Sequence, residues 1–309
     1  MNPLASLYGA VVSARNNLYD RGTLKVRRLR GPVVSIGNIA VGGSGKTPFL
    51  IALGELLQQR GVVFDVLSRG YGRATRGVAL VDPEGSPRDF GDEPLLIARK
   101  LRVPVIVGED RFAAGEFAEQ RLGARLHLLD DGFQHRRLAR DFDIVLLTST
   151  DRRDALLPTG RLREPLSALE RANAVVLTNE TSRDGLPLRN QAVWRVSRGI
   201  ARPEIKERCF AFCGIARPQN FFADLSAAGI TLSGTKAFSD HHAYTKSDVN
   251  KLRAAAQRSA AAAFVTTEKD LINLGALASE LAPLQVAPVQ MRLEDGDALV
   301  GAVLTRLGK

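Results

Sequence analysis

The sequence of 309 residues is poor in cysteine and in aromatic residues. Its two cysteines, Cys209 and Cys213, are too few for a disulfide framework, so a reducing cytoplasm is the expected compartment. Their spacing is a poor metal signature, and we interpret them as two small buried side chains. Aromatic residues make up 6%, and no basic stretch is interleaved with them, which argues against binding of single-stranded nucleic acid.

The sequence also shows no internal repeat, no low-complexity segment and no apolar core or cleavage site of a secretory signal. Its length and composition predict a globular protein with one large or two moderate domains. Positive charge is in surplus, with 43 Lys and Arg residues against 33 Asp and Glu and a net charge of +10. This surplus favours a polyanionic partner, which could be nucleic acid, an anionic membrane surface or a phosphorylated substrate.

A glycine-rich segment follows an apolar, strand-like run near the N-terminus. Residues 33–47 read VVSIGNIAVGGSGKT, and a helix-like run follows to residue 59. A strand, a glycine-rich turn, Gly-Lys-Thr and a helix are typical of a phosphate-binding P-loop, so a nucleoside triphosphate is the predicted ligand. The strict pattern has glycine where Ala40 stands, and the alternative interpretation is a turn that merely joins a strand to a helix.

The chemistry of a P-loop assigns roles to its residues. Gly42, Gly43 and Gly45 would let the backbone turn its N–H groups toward phosphate oxygens at a helix N-terminus. Lys46 would reach the β- and γ-phosphates, and Thr47 would place its hydroxyl on a magnesium ion.

Downstream of the P-loop, short apolar segments alternate with helix-like ones. This pattern predicts an α/β fold with a P-loop NTPase-like, mostly parallel sheet and helices on both faces. From about residue 191 the pattern restarts, which indicates a smaller C-terminal α/β lobe. The expected division is therefore 1–30 for an N-terminal helix and basic segment, 31–190 for the P-loop core and 191–309 for the smaller lobe.

Polar residues follow several of the predicted strands, where ligands of such sheets bind. Asp130 and Asp131 come directly after an apolar strand, in the manner of a Walker B element that holds magnesium. Asp92 starts a predicted helix and could be a simple cap, but its position could also face the nucleotide crevice. In the smaller lobe, His241 and His242 are adjacent, so in a strand at most one of them would face the cleft.

The first thirty residues combine an apolar helical stripe with basic residues, which suits an amphipathic helix lying in a bilayer interface. The segment is too short and too polar to span a bilayer, and a helix packed on its own domain is the alternative. The apolar positions are Leu4, Leu7, Tyr8, Val11, Val12 and Leu18, and the basic residues after them are Arg21, Lys25, Arg27, Arg28 and Arg30.

A set of longer motifs covers nearly the whole chain, in order. They are LYGAVVSARNNLYDRG, SIGNIAVGGSGKTP, SRGYGR, GDEPLLIARK, LLDDGFQHRRLARDFDIVLL, GRLREPLSAL, FCGIARP, FSDHHAYT and TTEKD. Together they resemble the tetraacyldisaccharide 4'-kinase family of lipid A biosynthesis.

The resemblance implies transfer of the ATP γ-phosphate to the 4'-hydroxyl of tetraacyldisaccharide 1-phosphate, giving the lipid IVA product. It further implies Mg²⁺ as a cofactor and attachment through the N-terminal helix to the cytoplasmic face of the inner membrane. The lipid substrate and an anionic membrane surface are the expected partners. No nucleic acid and no obligate protein partner are expected.

The resemblance also implies site residues. Asp92 is the expected catalytic base and Lys46 is expected on the phosphates. His241 is the expected partner of Asp92, with His242 left open as the alternative. The implied nucleotide-binding residues are Ala40, Val41, Gly42, Gly43, Ser44, Gly45, Lys46 and Thr47, and the implied metal ligands are Thr47, Asp130, Asp131 and Glu164.

Without the resemblance, two other classes would compete. A P-loop ATPase acting on nucleic acid predicts hydrolysis stimulated by DNA or RNA, and a P-loop switch predicts slow hydrolysis with nucleotide-dependent association. The residue that binds the lipid 1-phosphate is left open among Arg69, Arg73, Arg136, Arg137, Arg161 and Arg163.

Overall fold

The computed structural model describes residues 3–178, 180–201 and 207–308. The helices are α1 (Pro3–Asp20), α2 (Lys46–Gln59), α3 (Pro87–Phe90), α4 (Asp92–Leu101), α5 (Arg111–Leu122), α6 (Ser149–Arg152), α7 (Pro218–Ala227), α8 (Lys246–Arg258), α9 (Glu268–Leu274) and α10 (Gly296–Arg306). Two short 3-10 helices span Leu166–Arg171 and Gly275–Leu281.

The strands form two sheets. They are β1 (Val33–Asn38), β2 (Asp65–Ser68), β3 (Ala79–Leu80), β4 (Val105–Val107), β5 (His127–Asp130), β6 (Phe142–Leu147), β7 (Ala174–Thr178), β8 (Ala192–Ile200), β9 (Cys209–Cys213), β10 (Leu232–Ala237), β11 (Ala263–Thr266), β12 (Leu284–Val286) and β13 (Val289–Leu293).

The larger sheet has the order β13-β8-β7-β6-β1-β5-β2-β4-β3. Only its two edge pairs, β13 with β8 and β3 with β4, are antiparallel among the described strands. Strand β1 lies between β5 and β6, so the loop after β1 and the acidic pair at the end of β5 lie side by side. The predicted mostly parallel sheet is confirmed.

Side-chain alternation along the strands places helices on both faces of this sheet, as predicted. On β1, Val34 and Ile36 belong to the core shared with α2, α4 and α10. Val33 points to the other face and packs in a core that includes Phe112 of α5. The P-loop strand is therefore buried on both sides, which fixes the loop that follows it.

The smaller sheet has the order β10-β9-β11-β12 and is parallel throughout. Cys209 and Cys213 lie on β9 as buried free thiols, which confirms their interpretation as small core residues. We call residues 209–286 the small-sheet domain, and residues 3–200 with 289–308 the large-sheet domain.

This division differs from the expected boundary at residue 191. Strand β8 continues the parallel order of the large sheet beside β7, and β13 returns to pair with β8. Helix α10 then packs against α2, through Leu299 and Val300 in the same core. The restart of the sequence pattern at residue 191 therefore marks the end strand of the first sheet and not the start of a new domain.

Helix α1 has two different sides. The Tyr8 hydroxyl donates to the backbone oxygen of Arg163 at 3.1 Å, which attaches one side to the large-sheet domain. On the other side Leu4, Leu7 and Val11 are about 60% exposed. No helix in the described part of the chain has both the length and the apolar character to cross a bilayer.

Candidate active site

A cavity of about 480 Å³ lies between the two domains. The large-sheet domain supplies the P-loop, Asp130 and Asp131, and the small-sheet domain supplies Arg217, His241 and other polar residues. This volume is typical of small-molecule sites. The carboxyl ends of β1, β2 and β5 open into it, which is where ligands of parallel sheets bind.

The P-loop adopts the backbone that its glycines predict. Gly42, Gly43 and Gly45 have φ angles of 62°, 65° and 83°, a region that favours glycine. Gly45 is the N-cap of α2, and Lys46 and Thr47 form its first turn. The loop therefore presents backbone N–H groups and the positive end of a helix dipole to the cavity, as anion binding requires.

Lys46 lies beside two polar side chains. Its Nζ donates to Asn38 Oδ1 at 3.1 Å and lies 3.4 Å from Asp131 Oδ1. Asn38 ends β1 and also donates to the hydroxyl of Ser44 at 2.7 Å. These contacts hold the lysine next to the loop and next to the acidic pair.

The two acids at the end of β5 have opposite electrostatic environments. Burial, with the nearby charges of Glu93 and Asp131, raises the pKa of Asp130 to about 7. Burial acts on Asp131 in the same sense, but Lys46 and Arg163 outweigh it and hold the pKa of Asp131 well below its usual range. Arg163 donates to both Asp131 carboxylate oxygens, at 2.9 and 2.8 Å.

A magnesium ion fits the oxygens of this corner. Thr47, Asp130 and Asp131 line the same cavity, and Mg²⁺ is commonly held by one or two carboxylates together with substrate phosphates. Among the described residues, no group of three or more His, Cys, Asp or Glu side chains is placed to hold a metal without such help. The donor set thus fits an ion shared with a nucleotide.

Glu164, the fourth expected metal ligand, is not brought to the acidic pair. Its carboxylate is buried and accepts from Asn16 at 2.7 Å, from Gln134 at 2.9 Å and from Arg171 at 2.6 Å. Because Asn16 belongs to α1, this carboxylate connects the N-terminal helix to the loop that carries Arg163.

Asp92 and His241 form a pair across the two domains. His241 Nδ1 lies 3.0 Å from both carboxylate oxygens of Asp92, and Asn273 donates to the same carboxylate at 3.0 Å. Burial opposes ionisation, but the hydrogen bond from His241 and the charge of Lys269 lower the pKa of Asp92. The pKa of His241 is raised, because its hydrogen bond to Asp92 outweighs burial.

The adjacent histidines lie at a turn after β10 and not in a strand. The expectation that they point to opposite faces of a strand therefore does not apply to them. His241 adopts a positive φ of 56°, and its ring contacts Asp92. His242 instead contacts Asp248 at 3.2 Å and stacks on Phe238. The geometry therefore selects His241 as the partner of Asp92.

Lys269 of α9 completes this part of the cavity. Its Nζ lies 3.8 Å from Asp92, 3.2 Å from Glu93 and 3.6 Å from Asp240. Burial lowers the pKa of Lys269, but these three carboxylates outweigh it and leave a raised value. The lysine is thus a fixed positive charge beside the Asp92 and His241 pair.

The candidate arginines for the lipid phosphate occupy different surroundings. Arg163 donates to the Asp131 carboxylate, and Arg161 donates to the backbone oxygens of Val41 and Gly42. Arg136 is held by Asp20 and Arg73 by Glu109. Arg69 lines the cavity.

Sequence reasoning missed several residues at this site. Asn38 ends a parallel strand, so the rule that led to Asp130 could have identified it. Arg217 follows the parallel strand β9 and lies in the FCGIARP motif, which could have identified it. Asn273 carried no such signal, because it lies far along the chain and meets the site only through the packing of the small-sheet domain.

A glycine-rich loop between a buried parallel strand and a helix N-terminus, with a lysine and an acidic pair beside it, defines a P-loop protein that binds nucleoside triphosphates. A family model described as tetraacyldisaccharide-1-P 4'-kinase matches residues 1–308. The chain belongs to this tetraacyldisaccharide 4'-kinase family. It is accordingly a kinase of lipid A biosynthesis, with ATP as the phosphate donor and an alcohol group as the acceptor.

Individual relatives agree with this assignment. A tetraacyldisaccharide 4'-kinase of Koribacter versatilis is 52% identical over 314 residues, covering 98% of each chain. One from Chlorobaculum tepidum is 39% identical, with 89% of this chain and 86% of the relative covered. The crystal structure of LpxK from Aquifex aeolicus in complex with ATP matches with a TM-score of 0.78 at 32% identity, covering 99% of this chain and 98% of that one.

Proposed function

We propose that this chain transfers the ATP γ-phosphate to the 4'-hydroxyl of tetraacyldisaccharide 1-phosphate with Asp92 as the general base and His241 as its partner. The observation that carries the proposal is the 3.0 Å contact of buried Asp92 with His241, which lines the cavity that also holds the P-loop. Carboxylate bases paired with a positioning group are common in such transfers.

The P-loop and its neighbours position the phosphates. Backbone N–H groups of residues 42–47 and the Lys46 ammonium bind the phosphate oxygens. Thr47, Asp130 and Asp131 would hold Mg²⁺, which supplies neutralisation of phosphate charge. Arg163 keeps Asp131 ionised and fixed for this role.

Asp92 receives the proton of the attacking hydroxyl. Its lowered pKa keeps the carboxylate ionised at neutral pH, so it can accept a hydrogen bond from the 4'-hydroxyl and take the proton late in transfer. His241 and Asn273 hold the carboxylate in place through hydrogen bonds. The acceptor oxygen loses a proton to Asp92 as its bond to phosphorus forms, and ADP leaves.

The small-sheet domain completes the site. His241, Lys269 and Asn273 all belong to it, whereas Asp92 and the P-loop belong to the large-sheet domain. Catalysis therefore requires the two domains to be apposed as they are in this structure.

We further propose that α1 holds the enzyme at the cytoplasmic face of the inner membrane. Leu4, Leu7, Val11 and Leu18 fall on one helical face, and their side chains are between 42% and 63% exposed. Such a face with basic residues after it suits an anionic bilayer surface. A lipid acceptor in the bilayer would then lie close to the cavity.

The kinase assignment is tested by transfer of labelled γ-phosphate in detergent micelles with Mg²⁺. We expect label in the lipid fraction, and Lys46→Ala should abolish it while a surface variant such as Arg253→Ala retains it. An ATP-binding enzyme that leaves the lipid unlabelled, yet hydrolyses ATP faster with DNA, would overturn the proposal.

The membrane proposal is tested by flotation with anionic vesicles. The triple variant Leu4→Ser, Leu7→Ser, Val11→Ser changes the exposed side and leaves the contacts of Tyr8 and Asn16 in place. We expect it to lose vesicle binding while keeping micellar activity. Unchanged flotation would exclude α1 as the attachment.

A further inference from the structure

Arg217 joins the small-sheet domain to the large-sheet domain. It lies between β9 and α7, and its guanidinium donates to Asp151 at 2.6 Å and to the Thr150 hydroxyl at 2.7 Å. Asp151 is fully buried, and the Arg217 side chain is 11% exposed. The guanidinium is therefore held in one place by partners from the other domain.

The same side chain lies against the P-loop. A Cβ atom at Gly43 would stand 2.7 Å from Arg217 Cγ and 3.0 Å from its Nε. Arg217 and the P-loop glycines line the same cavity. Glycine at position 43 is thus needed for its φ of 65° and also for the close approach of this arginine.

The Nε–H group of Arg217 is buried and has no hydrogen-bond partner in the part of the chain that the structure describes. A buried donor left unpaired is costly. Other arginines also have a buried Nε without a partner among the described residues, namely Arg73, Arg111, Arg163 and Arg171. The Arg217 donor therefore points to a ligand only together with the position of Arg217 against Gly43 of the P-loop. Asp151 and Thr150 take the two terminal nitrogens. The remaining donor is next to a loop whose ligand is a row of phosphate oxygens.

We propose that Arg217 is a nucleotide-binding residue whose Nε–H donates to a phosphate oxygen of ATP. The planar guanidinium can donate hydrogen bonds to Asp151 from one edge and to an anion from another, which an ammonium group cannot do. Because Arg217 belongs to the small-sheet domain, ATP bound this way favours the apposition that brings His241 to Asp92. The inference rests on the proposed function for the identity of the ligand as ATP.

The competing role is purely structural: Arg217 would contribute only its ion pair with Asp151, which links the two domains. The two roles predict different ATP affinities for three variants. Asp151→Asn keeps the guanidinium and weakens its ion pair with residue 151. Arg217→Lys keeps a cation for Asp151 but has no Nε–H group for the phosphate. Arg217→Met loses both the ion pair and the Nε–H donor. Arg253→Ala, on the exposed side of α8, is the control.

Binding of ATP without lipid, measured by titration calorimetry, separates these roles. We expect Arg217→Met and Arg217→Lys to bind ATP about 10- to 100-fold more weakly, the effect of one hydrogen bond to a charged group. Asp151→Asn should stay within about threefold of the unmodified enzyme, because the amide oxygen of asparagine can still accept a hydrogen bond from the guanidinium, and the control should be unchanged. If Arg217→Met does not fold, Arg217→Lys carries the test.

Steady-state kinetics provide the second measurement. The KM for ATP should rise by the same factor as the dissociation constant, and the KM for the lipid should change by less than about twofold. Wild-type ATP affinity in both Arg217 variants, or an equal loss in Asp151→Asn, would overturn the inference. An enzyme that binds ATP through Arg217 but does not phosphorylate the lipid would overturn the proposed function alone.

Discussion

The Nδ1 atom of His241 lies 3.0 Å from both carboxylate oxygens of Asp92, although the two residues belong to different domains. The backbone at His241 has a positive φ, which a non-glycine residue adopts only where its surroundings hold it. The contact thus depends on the relative position of the domains and on a constrained turn. It brings the proposed base, Asp92, into direct contact with its proposed partner.

Asp92→Asn tests that chemistry with a side chain of the same shape. The amide cannot take a proton, so we expect kcat to fall by about 10²- to 10⁴-fold. The dissociation constant for ATP should change little, because the phosphates are held by the P-loop. Single-turnover kinetics and ATP calorimetry measure the two effects, and a loss of ATP affinity with preserved turnover would make Asp92 structural.

His241→Ala should change the pH dependence of kcat/KM. The hydrogen bond from His241 is the largest influence that lowers the pKa of the buried Asp92, and its removal leaves the effect of burial, which raises the pKa. The proposed role of Asp92 as the base requires its ionised form, so activity is expected to be lost as the pH falls through this pKa. The acidic limb of the profile should therefore move to higher pH in the variant.

His242→Ala is the matched control for that experiment. This side chain contacts Asp248 and Phe238 and has no contact with Asp92, so the acidic limb should keep the position it has in the unmodified enzyme. An equal shift in both variants, or none in His241→Ala, would contradict the assigned pairing.

The sequence was sufficient to predict the P-loop and the acidic pair, because both depend on local pattern. Glycines at fixed spacing before Gly-Lys-Thr define a backbone, and Asp130 ends an apolar strand in the same sheet. The alternation of segments likewise predicted a parallel sheet with helices on both faces. Each of these features is determined by a pattern of residues within a segment of about thirty residues, so it can be predicted without knowing the tertiary packing.

The features that sequence could not predict depend on distant packing. The C-terminal strand β13 returns to the first sheet, and no pattern within residues 289–293 shows which sheet it joins. Asn273 reaches Asp92 across 181 positions of chain. Glu164 was expected at the metal on family resemblance, yet its partners in this structure are Asn16, Gln134 and Arg171.

Asn16→Ala tests the connection between α1 and Glu164. Its Nδ2 donates to the buried Glu164 carboxylate, and loss of a hydrogen bond to a charged group costs about 1.5–3 kcal/mol. We expect faster proteolysis within residues 3–20 and a lower melting temperature. Asn17→Ala is the control, because position 17 is exposed, and it should behave as the unmodified enzyme. Equal cleavage rates in the two variants would show that this hydrogen bond does not hold the helix.

Gly37→Ala tests how closely β1 packs against the loop after the acidic pair. A Cβ at Gly37 would lie 2.5 Å from the Cβ of Phe133 and 2.9 Å from its backbone nitrogen, and Phe133 is fully buried. Neither atom is the end of a flexible side chain, so β1 or the segment after Asp131 has to shift. Such overpacking costs about 1–3 kcal/mol, which lowers the melting temperature by about 2–10 °C.

The matched control is Gly199→Ala on strand β8, where an added Cβ meets no atom within 4 Å. Its melting temperature should stay within about 1 °C, or rise slightly because alanine reduces the freedom of the unfolded chain. Scanning calorimetry without ATP measures both. Since Gly37 precedes Asn38, which contacts Lys46, the same shift should also weaken ATP binding in Gly37→Ala alone. Equal melting temperatures would mean that the β1 contact with Phe133 relaxes freely, which a strand buried on both faces should not allow.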